Sequence, residues 1–120
     1  MKIASALTTA VTGVQAASRV LEVSSHNTAN AITDGFVPLE ASMEALDNGG
    51  VRVRITRGTG SPGGVEATGP VSSGTDLVEE FADQVAGVAV YRANLASLKN
   101  ADETEGVLIR MTGRGDDEQP

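Results

Sequence analysis

Apolar and small residues recur along the first quarter of the chain with the period of an amphipathic helix. They alternate between steps of four and three residues, which is the spacing of a narrow coiled-coil seam. A helix with one narrow apolar stripe needs a second helix beside it, because the stripe would otherwise remain in water. This first stripe consists of Ile3, Leu7, Ala10, Val14, Ala17, Leu21, Ser24 and Thr28.

A second amphipathic pattern occupies the last third of the chain. We expect its helix to begin with Thr75 or Asp76 as the N-cap, since the helix dipole favours a carboxylate in the first turn. Asp102 and Glu105 interrupt the phase, so a change of partner or a bend at Gly106 is expected there. The stripe consists of Leu77, Phe81, Gln84, Val88, Tyr91, Leu95 and Leu98.

The region between the two patterns begins where the first helix is expected to end, near Thr33. Gly35 suits the left-handed conformation that closes many helices, and Pro38 prevents the helix from resuming nearby. Residues 39–46 are expected to form a short helical turn. Residues 51–55 alternate strictly between apolar and charged, as a half-exposed strand does. The Gly/Ser/Pro-rich stretch that follows offers a possible partner strand at residues 65–67.

These patterns predict a mainly α fold with two long terminal helices in a coiled-coil-like antiparallel pair and a short loop or β-hairpin between them. The expected organisation is residues 1–36 for the first helix with its Asn-rich motif and 37–74 for a short surface segment. Residues 75–112 form the second helix, and residues 113–120 form an acidic tail that frays.

Composition indicates a thin hydrophobic core. Only Phe36, Phe81 and Tyr91 are aromatic among 120 residues, and Gly occurs 14 times. Aromatic side chains supply the largest single burials, so an isolated helical pair of this composition would be marginally stable. The chain has no Cys, which excludes disulfides and thiolate metal sites.

Charge is distributed unevenly along the chain. Residues 75–120 hold ten acids and four bases, and so carry nearly all of the formal net charge of −7. A nucleic-acid-binding protein needs a clustered basic face to displace counterions, and this chain has none. The acidic second helix suits contact with basic surfaces on neighbouring proteins.

Several patterns resemble chemical sites but have simpler explanations. Residues 58–63 match the dinucleotide-binding glycine pattern, yet no helix-start signal follows to hold a pyrophosphate. His26 lies beside serines that point to other faces of the helix, so it activates neither of them. Glu79, Glu80 and Asp83 lack a compact oxygen-rich loop and are expected to form a solvated acidic face. We therefore expect no enzyme activity, cofactor, metal ion or small-molecule substrate.

Three asparagines stand at helical positions of the two patterns. Asparagine is disfavoured within helices, because its side chain competes for backbone groups. Asn27, Asn30 and Asn94 are therefore expected to fix helix register through hydrogen bonds, as a buried Asn does in a coiled coil. The alternative is that they are exposed or capping residues.

The end of the first pattern resembles a known signature. The motif of Asn27, Ala29, Asn30, Thr33, Gly35 and Phe36 is similar to the one that closes the N-terminal helix of the flagellar axial proteins, the rod, hook and hook-associated family. Residues 6–16 resemble that family's start. Residues 77–81, 91–94 and 101–103 resemble its C-terminal helix. The short middle segment resembles the small proximal-rod subgroup.

The resemblance implies a structural subunit of the bacterial flagellar basal-body rod, which assembles by helix–helix packing into a helical tube in the periplasm. Implied partners are other rod proteins, further copies of the chain and the flagellar type III export apparatus. The first stripe continues in phase past residue 16, so a cleaved signal peptide is not expected. No apolar run is long enough to span a membrane. The alternative is a helical-hairpin adaptor of another secretion system or a coiled-coil partner protein.

The positions expected to carry assembly are those of the two stripes and the motif. They are Leu7, Val14, Leu21, Asn27, Asn30, Gly35, Phe36, Phe81, Val88, Tyr91, Asn94 and Leu95.

Overall fold

Two long helices pack against each other, and a two-stranded antiparallel hairpin lies between them in the chain. The computed structural model describes residues 2–58 and 73–113. The elements in chain order are α1 (Lys2–Ala29), β1 (Leu39–Ala45), β2 (Val51–Arg57) and α2 (Leu77–Gly113). The mainly α class with an antiparallel helical pair, predicted from the two stripes, is confirmed.

Helix α1 ends at Ala29, about one turn earlier than the stripe predicted. Hydrogen-bonded turns carry the chain onward instead, for example with Thr33 N–H donating to the Asn30 carbonyl at 2.9 Å. Gly35 has φ 71°, the left-handed conformation expected of it, but it lies in these turns and does not close the helix itself. The regular helix is therefore shorter than the helix that the sequence predicted, which was expected to end near Thr33.

The hairpin pairs β1 with β2 in a register that places Met43 opposite Val53 and Glu44 opposite Arg52. The helical turn expected over residues 39–46 is wrong, because that segment is β1. Its Leu, Glu, Ala and Met residues favour helix, but the strand ladder with β2 outweighs this weak preference. The partner strand expected at residues 65–67 lies outside the described residues. Gly49 and Gly50 form the turn, with φ 86° and 96°.

The hairpin packs on α1. The Val51 N–H donates to Thr12 Oγ1 at 3.2 Å, and a β-carbon at Gly50 would lie 2.7 Å from the same oxygen. Within the described residues the backbone of the hairpin approaches α1 and does not approach α2. Residues 2–57 therefore form one local unit, to which α2 is added.

The buried apolar core of the described residues consists of only four side chains. They are Ala10, Ala16, Ala17 and Val23, all on α1. Burial of alanine removes little apolar surface from water, so this core contributes far less than one built of Leu, Ile or Phe. The two helices are instead held by a close approach of their backbones, since few large side chains are buried between them.

Helix α2 begins with Asp76 as its N-cap, whose Oδ1 accepts hydrogen bonds from the N–H groups of Val78 at 2.9 Å and Glu79 at 3.3 Å. It continues as helix through Gly106 to Gly113, so the helix does not end at that glycine. At 37 residues against 28, α2 is about 55 Å long and α1 about 42 Å. The C-terminal end of α2 therefore extends past the start of α1.

Candidate assembly surfaces

The two helices meet along matching lines of residues that we call the helix seam. Each helix carries a line of buried and half-buried positions whose steps alternate between three and four residues. This is the spacing of an antiparallel coiled coil. The α1 line is Ala10, Gly13, Ala17, Val20, Ser24 and Asn27, and the α2 line is Glu80, Gln84, Gly87, Tyr91, Asn94, Leu98 and Ala101.

Two glycines allow the helices to approach closely at the seam. The Asn94 side chain lies directly over Gly13, where a β-carbon would overlap the amide group. The Leu21 side chain lies over Gly87, where a β-carbon would be 3.0 Å from Leu21 Cδ2. Gly13 and Gly87 therefore leave the room that the Asn94 and Leu21 side chains occupy.

The apolar stripe predicted for α2 is only partly the surface that contacts α1. Gln84, Tyr91 and Leu98 belong to both lines, but Leu77, Phe81, Val88 and Leu95 lie outside the seam and are exposed. The facing line of α1 is small and polar, so it is complemented by Gly87, Glu80 and Asn94 better than by bulky apolar groups. Within the single chain these four residues therefore lie mainly at the surface, and their part in assembly stays a prediction.

The exposed residues form a continuous band that we call the outer stripe. It runs along α2 at steps of three and four residues and is 68 % exposed at Phe81 and 57 % at Val85. Three exposed alanines flank it at intervals of seven: Ala82, Ala89 and Ala96. Contiguous apolar surface of this kind typically marks an interaction site. The outer stripe consists of Val78, Phe81, Val85, Val88, Arg92 and Leu95.

A buried polar network joins α1, α2 and the hairpin at Asn27, which is 1 % exposed. Asn27 Nδ2 donates to the Leu39 carbonyl at 2.7 Å and to Glu80 Oε1 at 2.6 Å. Asn27 Oδ1 accepts the Leu39 N–H at 2.8 Å. One amide therefore binds the backbone of β1 on both sides while it holds the carboxylate of α2. Of the three asparagines, Asn27 is the one buried as the register hypothesis requires.

Neighbouring polar groups extend this network along the seam. Ser24, 2 % exposed, donates from Oγ to the Glu80 carbonyl at 3.0 Å. Gln84 Nε2 donates to Ser24 Oγ and Thr28 Oγ1, both at 3.2 Å. No buried side-chain N or O atom of the described residues lacks a partner. Satisfied polar networks of this kind fix a single arrangement of the elements that they join.

Asn30 and Asn94 make different contacts from Asn27. Asn30 Nδ2 donates to the His26 carbonyl at 2.9 Å, and Asn30 Oδ1 accepts from Thr33 Oγ1 at 3.2 Å, so its bonds stay within one turn. Asn94 Nδ2 donates to the Val90 carbonyl in its own helix at 2.9 Å. Within the single chain, Asn94 contributes to register through its packing on Gly13, and Asn30 acts as a local cap.

The remaining motif residue contacts the end of α1. The Phe36 ring lies edge-on to His26, with centroids 5.5 Å apart and an interplanar angle of 64°. The Phe36 carbonyl accepts the Gly74 N–H at 2.9 Å, which brings the chain before α2 beside the turn after α1. Phe36 therefore helps to close the helical pair, and the role of His26 is a contact that the sequence did not suggest.

The larger side chains of the α1 stripe are half-buried. Leu7, Val14 and Leu21 lie at the border of the seam. Leu7 lines a shallow surface groove together with Leu95 and Leu98. This groove places part of α1 beside one end of the outer stripe.

The outward face of the hairpin is charged. Glu44 Oε1 accepts from Arg54 Nε at 2.6 Å, and Glu44 Oε2 accepts from Arg52 at 2.9 Å. Hydrogen bonds from the guanidinium of Arg54, and then from that of Arg52, hold the pKa of Glu44 below its ordinary value of 4.5. Arg52 and Arg54 of β2 are therefore paired with Glu44 of β1 within the hairpin.

The acids considered as a metal site do not act together. Glu80 is buried against Asn27, whereas Glu79 and Asp83 are exposed. Among residues 2–58 and 73–113, no group of three or more His, Cys, Asp or Glu side chains is arranged to hold a metal ion. Glu80 is the seam residue that sequence reasoning missed, although its heptad spacing to Gly87 and Asn94 was available as a signal.

Neither α1 nor α2 contains a stretch that is apolar enough for a membrane span. No protein-family model matches this sequence, and no curated protein matches it.

Proposed function

We propose that this chain is a structural subunit of the bacterial flagellar basal-body rod. Its two terminal helices pair within the subunit and pack against the helices of neighbouring subunits in a helical tube. The proposal rests on the ordered resemblance of the terminal segments to flagellar axial proteins. The observation that carries it is the outer stripe, an apolar helical surface that residues 2–58 and 73–113 leave uncovered.

The exposure of the outer stripe favours a structural role over a catalytic one. Among the described residues the buried apolar side chains are three alanines and a valine, which contribute little free energy by burial. Several large apolar side chains, Phe81 among them, are exposed and stabilise only a state in which another helix covers them. A subunit of a helical assembly has this arrangement, because each copy completes the core of its neighbour.

The hairpin has a separate role in this proposal. It packs on α1 with one face and presents Glu44, Arg52 and Arg54 on the other. It therefore leaves the outer stripe of α2 open and adds a charged surface elsewhere on the subunit. We propose that this surface helps to select which axial proteins lie above and below.

The proposed location is the periplasmic rod, reached through the flagellar export apparatus. Partners are other rod proteins and further copies of the chain. A thin-cored protein is suited to export through a narrow channel, since little free energy is needed to unfold it.

The test is recovery of the chain from purified hook–basal bodies of its own host. We expect tryptic peptides of the chain in the rod fraction, and loss of rods and swimming when its gene is deleted. Absence from basal bodies together with normal motility of the deletion strain would contradict the proposal. Recovery with the components of a different secretion system would support the adaptor alternative.

A pair of matched variants tests whether the outer stripe carries the assembly. Phe81→Ser removes a 68 % exposed stripe residue and is expected to lower incorporation into rods at equal protein level. Val90→Ser alters an apolar residue on another face of the same helix, exposed at 37 %, and is expected to assemble normally. Equal incorporation of the two variants into rods would show that the outer stripe is not part of the interface between subunits.

A further inference from the structure

The turn of the hairpin carries a reactive pair of residues that has no part in the proposed rod assembly. Asn48 is followed by Gly49, and it is the only one of the five asparagines in the chain that precedes a glycine. Both residues are exposed. The nitrogen of the following residue can attack an asparagine carboxamide, and glycine has no side chain to hinder that approach. Asparagine is accordingly among the chemically labile residues of proteins.

We propose that Asn48 is a site of spontaneous deamidation and that closure of the hairpin on α1 sets its rate. The inference does not depend on the flagellar function. The Gly49 nitrogen loses its proton to solvent and forms a bond to Asn48 Cγ. The bond from Cγ to Nδ2 breaks, and Nδ2 takes up a proton and leaves as ammonia. Water then opens the succinimide ring at either carbonyl carbon, which gives aspartate or isoaspartate without oxidation or reduction.

In the closed hairpin the attacking nitrogen is engaged in a hydrogen bond. The Gly49 N–H donates to the Leu46 carbonyl at 3.0 Å, and the Leu46 N–H donates to the Gly50 carbonyl at 3.0 Å. These bonds close the turn and hold Gly49 in its left-handed conformation, with φ 86°. Reaction at Asn48 requires the turn to open, because the Gly49 N–H must leave the Leu46 carbonyl before it loses its proton. The rate therefore follows the population of the open turn.

A single hydroxyl of α1 holds the residues that follow the turn. Thr12 Oγ1 accepts the Val51 N–H at 3.2 Å, and a β-carbon at Gly50 would lie 2.7 Å from the same oxygen. Thr12 Oγ1 itself donates to the Thr9 carbonyl at 2.8 Å, which leaves its lone pairs to accept from the hairpin. Loss of this hydroxyl should raise the population of the open turn. The reactivity of Asn48 therefore depends on a contact with a helix that is distant in sequence.

The isoaspartate product does not fit the closed turn. It routes the backbone through the former side chain and adds one carbon atom between residues 48 and 49. Because the length of a turn sets the register of its hairpin, the bonds between Leu46 and residues 49 and 50 cannot both form again. The modified turn should therefore release Val51 from Thr12.

Peptide mass spectrometry of the concentrated full-length protein, kept in mildly alkaline buffer, measures deamidation at each asparagine. We expect Asn48 to react many times faster than Asn100, which is exposed on α2 and precedes an alanine. Equal rates at the two positions would overturn the proposal.

Thr12→Val tests the coupling to α1, because it keeps the shape of the side chain and removes the hydroxyl. Deamidation of Asn48 should become about fivefold faster, which corresponds to the net contribution of about 1 kcal/mol from one hydrogen bond. Thr8→Val is the matched control, since Thr8 Oγ1 donates to the Ala4 carbonyl of its own helix, and it should react like the parent. A parent rate in Thr12→Val would overturn the coupling. In urea that unfolds the chain, all three proteins should share one rate, and a difference there would show that the substitution does not act through closure.

Amide hydrogen exchange at Val51 tests the release of the hairpin. The purified isoaspartate form should lose protection at Val51, whereas Asn48→Asp, which adds the charge without the extra carbon atom, should keep it. Full protection of Val51 in the isoaspartate form would overturn the release step.

Discussion

Asn27 is the residue on which most of the tertiary arrangement converges. Its amide makes three hydrogen bonds, two to the backbone of Leu39 and one to the carboxylate of Glu80. A hydrophobic residue at this position would leave the Leu39 N–H and the Glu80 carboxylate without partners in a buried site. A buried polar group without a partner costs more free energy than an ordinary hydrogen bond contributes.

Asn27→Ala is expected to lower the free energy of unfolding by about 2 kcal/mol, because it leaves the buried Glu80 carboxylate and the half-buried Leu39 N–H without their partner. Asn30→Ala is the matched control, since the bonds of Asn30 are local and exposed, and should cost about 0.5 kcal/mol. Urea denaturation followed by circular dichroism measures both. Equal losses would show that the buried network does not hold the elements together.

Two glycines within helices are expected to respond oppositely to alanine. Gly106→Ala meets no atom within 4 Å and should stabilise the chain by about 0.5–1 kcal/mol, as helix propensity predicts. Gly13→Ala should destabilise it, because the new methyl group overlaps the Asn94 side chain.

The double variant Gly13→Ala/Asn94→Ala tests the cause of that destabilisation. Removing the Asn94 amide should restore part of the lost stability, so the two substitutions should not be additive in thermal unfolding. Strict additivity would show that the overlap at Gly13 is relieved in some other way.

At the scale of elements, the sequence predicted which helices and strands form better than it predicted which surfaces they pack against. Both long helices, β2 and the Asp76 cap follow from periodicity and capping chemistry. The strand β1 was missed because its composition favours helix, although Leu39, Ala41 and Met43 do alternate with polar residues as a strand does. The hydrogen-bonded ladder joins β1 to residues outside the segment, so the local propensities of residues 39–45 do not predict it.

The face of α2 that contacts α1 could not be found from periodicity alone. A heptad pattern identifies an apolar line but does not say whether the helix that covers it belongs to the same chain. Here the line of Gly87, Glu80 and Asn94 complements the small and polar line of α1, so the more apolar line is left outside. The buried network around Asn27 was equally hidden, because a single sequence does not pair Asn27 with Glu80.

The hairpin provides a pH-dependent test. Because the folded pKa of Glu44 lies below 4.5, its ion pairs contribute stability that is present above pH 4.5 and is lost as the pH falls through the folded pKa. A carbon-13 NMR titration of the Glu44 carboxyl should therefore have a midpoint below 4.5. In Arg54→Gln the midpoint should rise toward 4.5, since the strongest hydrogen-bond partner is gone. A midpoint unchanged by Arg54→Gln would contradict the assigned cause.

At the scale of the whole molecule, the dilute chain is expected to be only partly folded. In residues 2–58 and 73–113 the buried apolar side chains are few and small, so conformational entropy is offset by little hydrophobic burial. Amide hydrogen exchange should show weak protection in α1 and α2 at low concentration and stronger protection as concentration rises. Strong protection through both helices in a dilute monomer would show that the single chain is self-sufficient.

The attachment of the hairpin to α1 alone has a consequence for the order of folding. In the described part of the chain the backbone of the hairpin approaches helix only within residues 2–57, whereas α2 joins through partners separated by more than fifty positions, such as Ser24 and Glu80. Contacts close in sequence form with less loss of loop entropy than distant ones. A chain that emerges N-terminus first therefore presents a complete template, α1 with its hairpin, before α2 arrives. The last segment to emerge is then a helix with a small and polar face that fits its own template and an apolar face that a neighbouring subunit can cover.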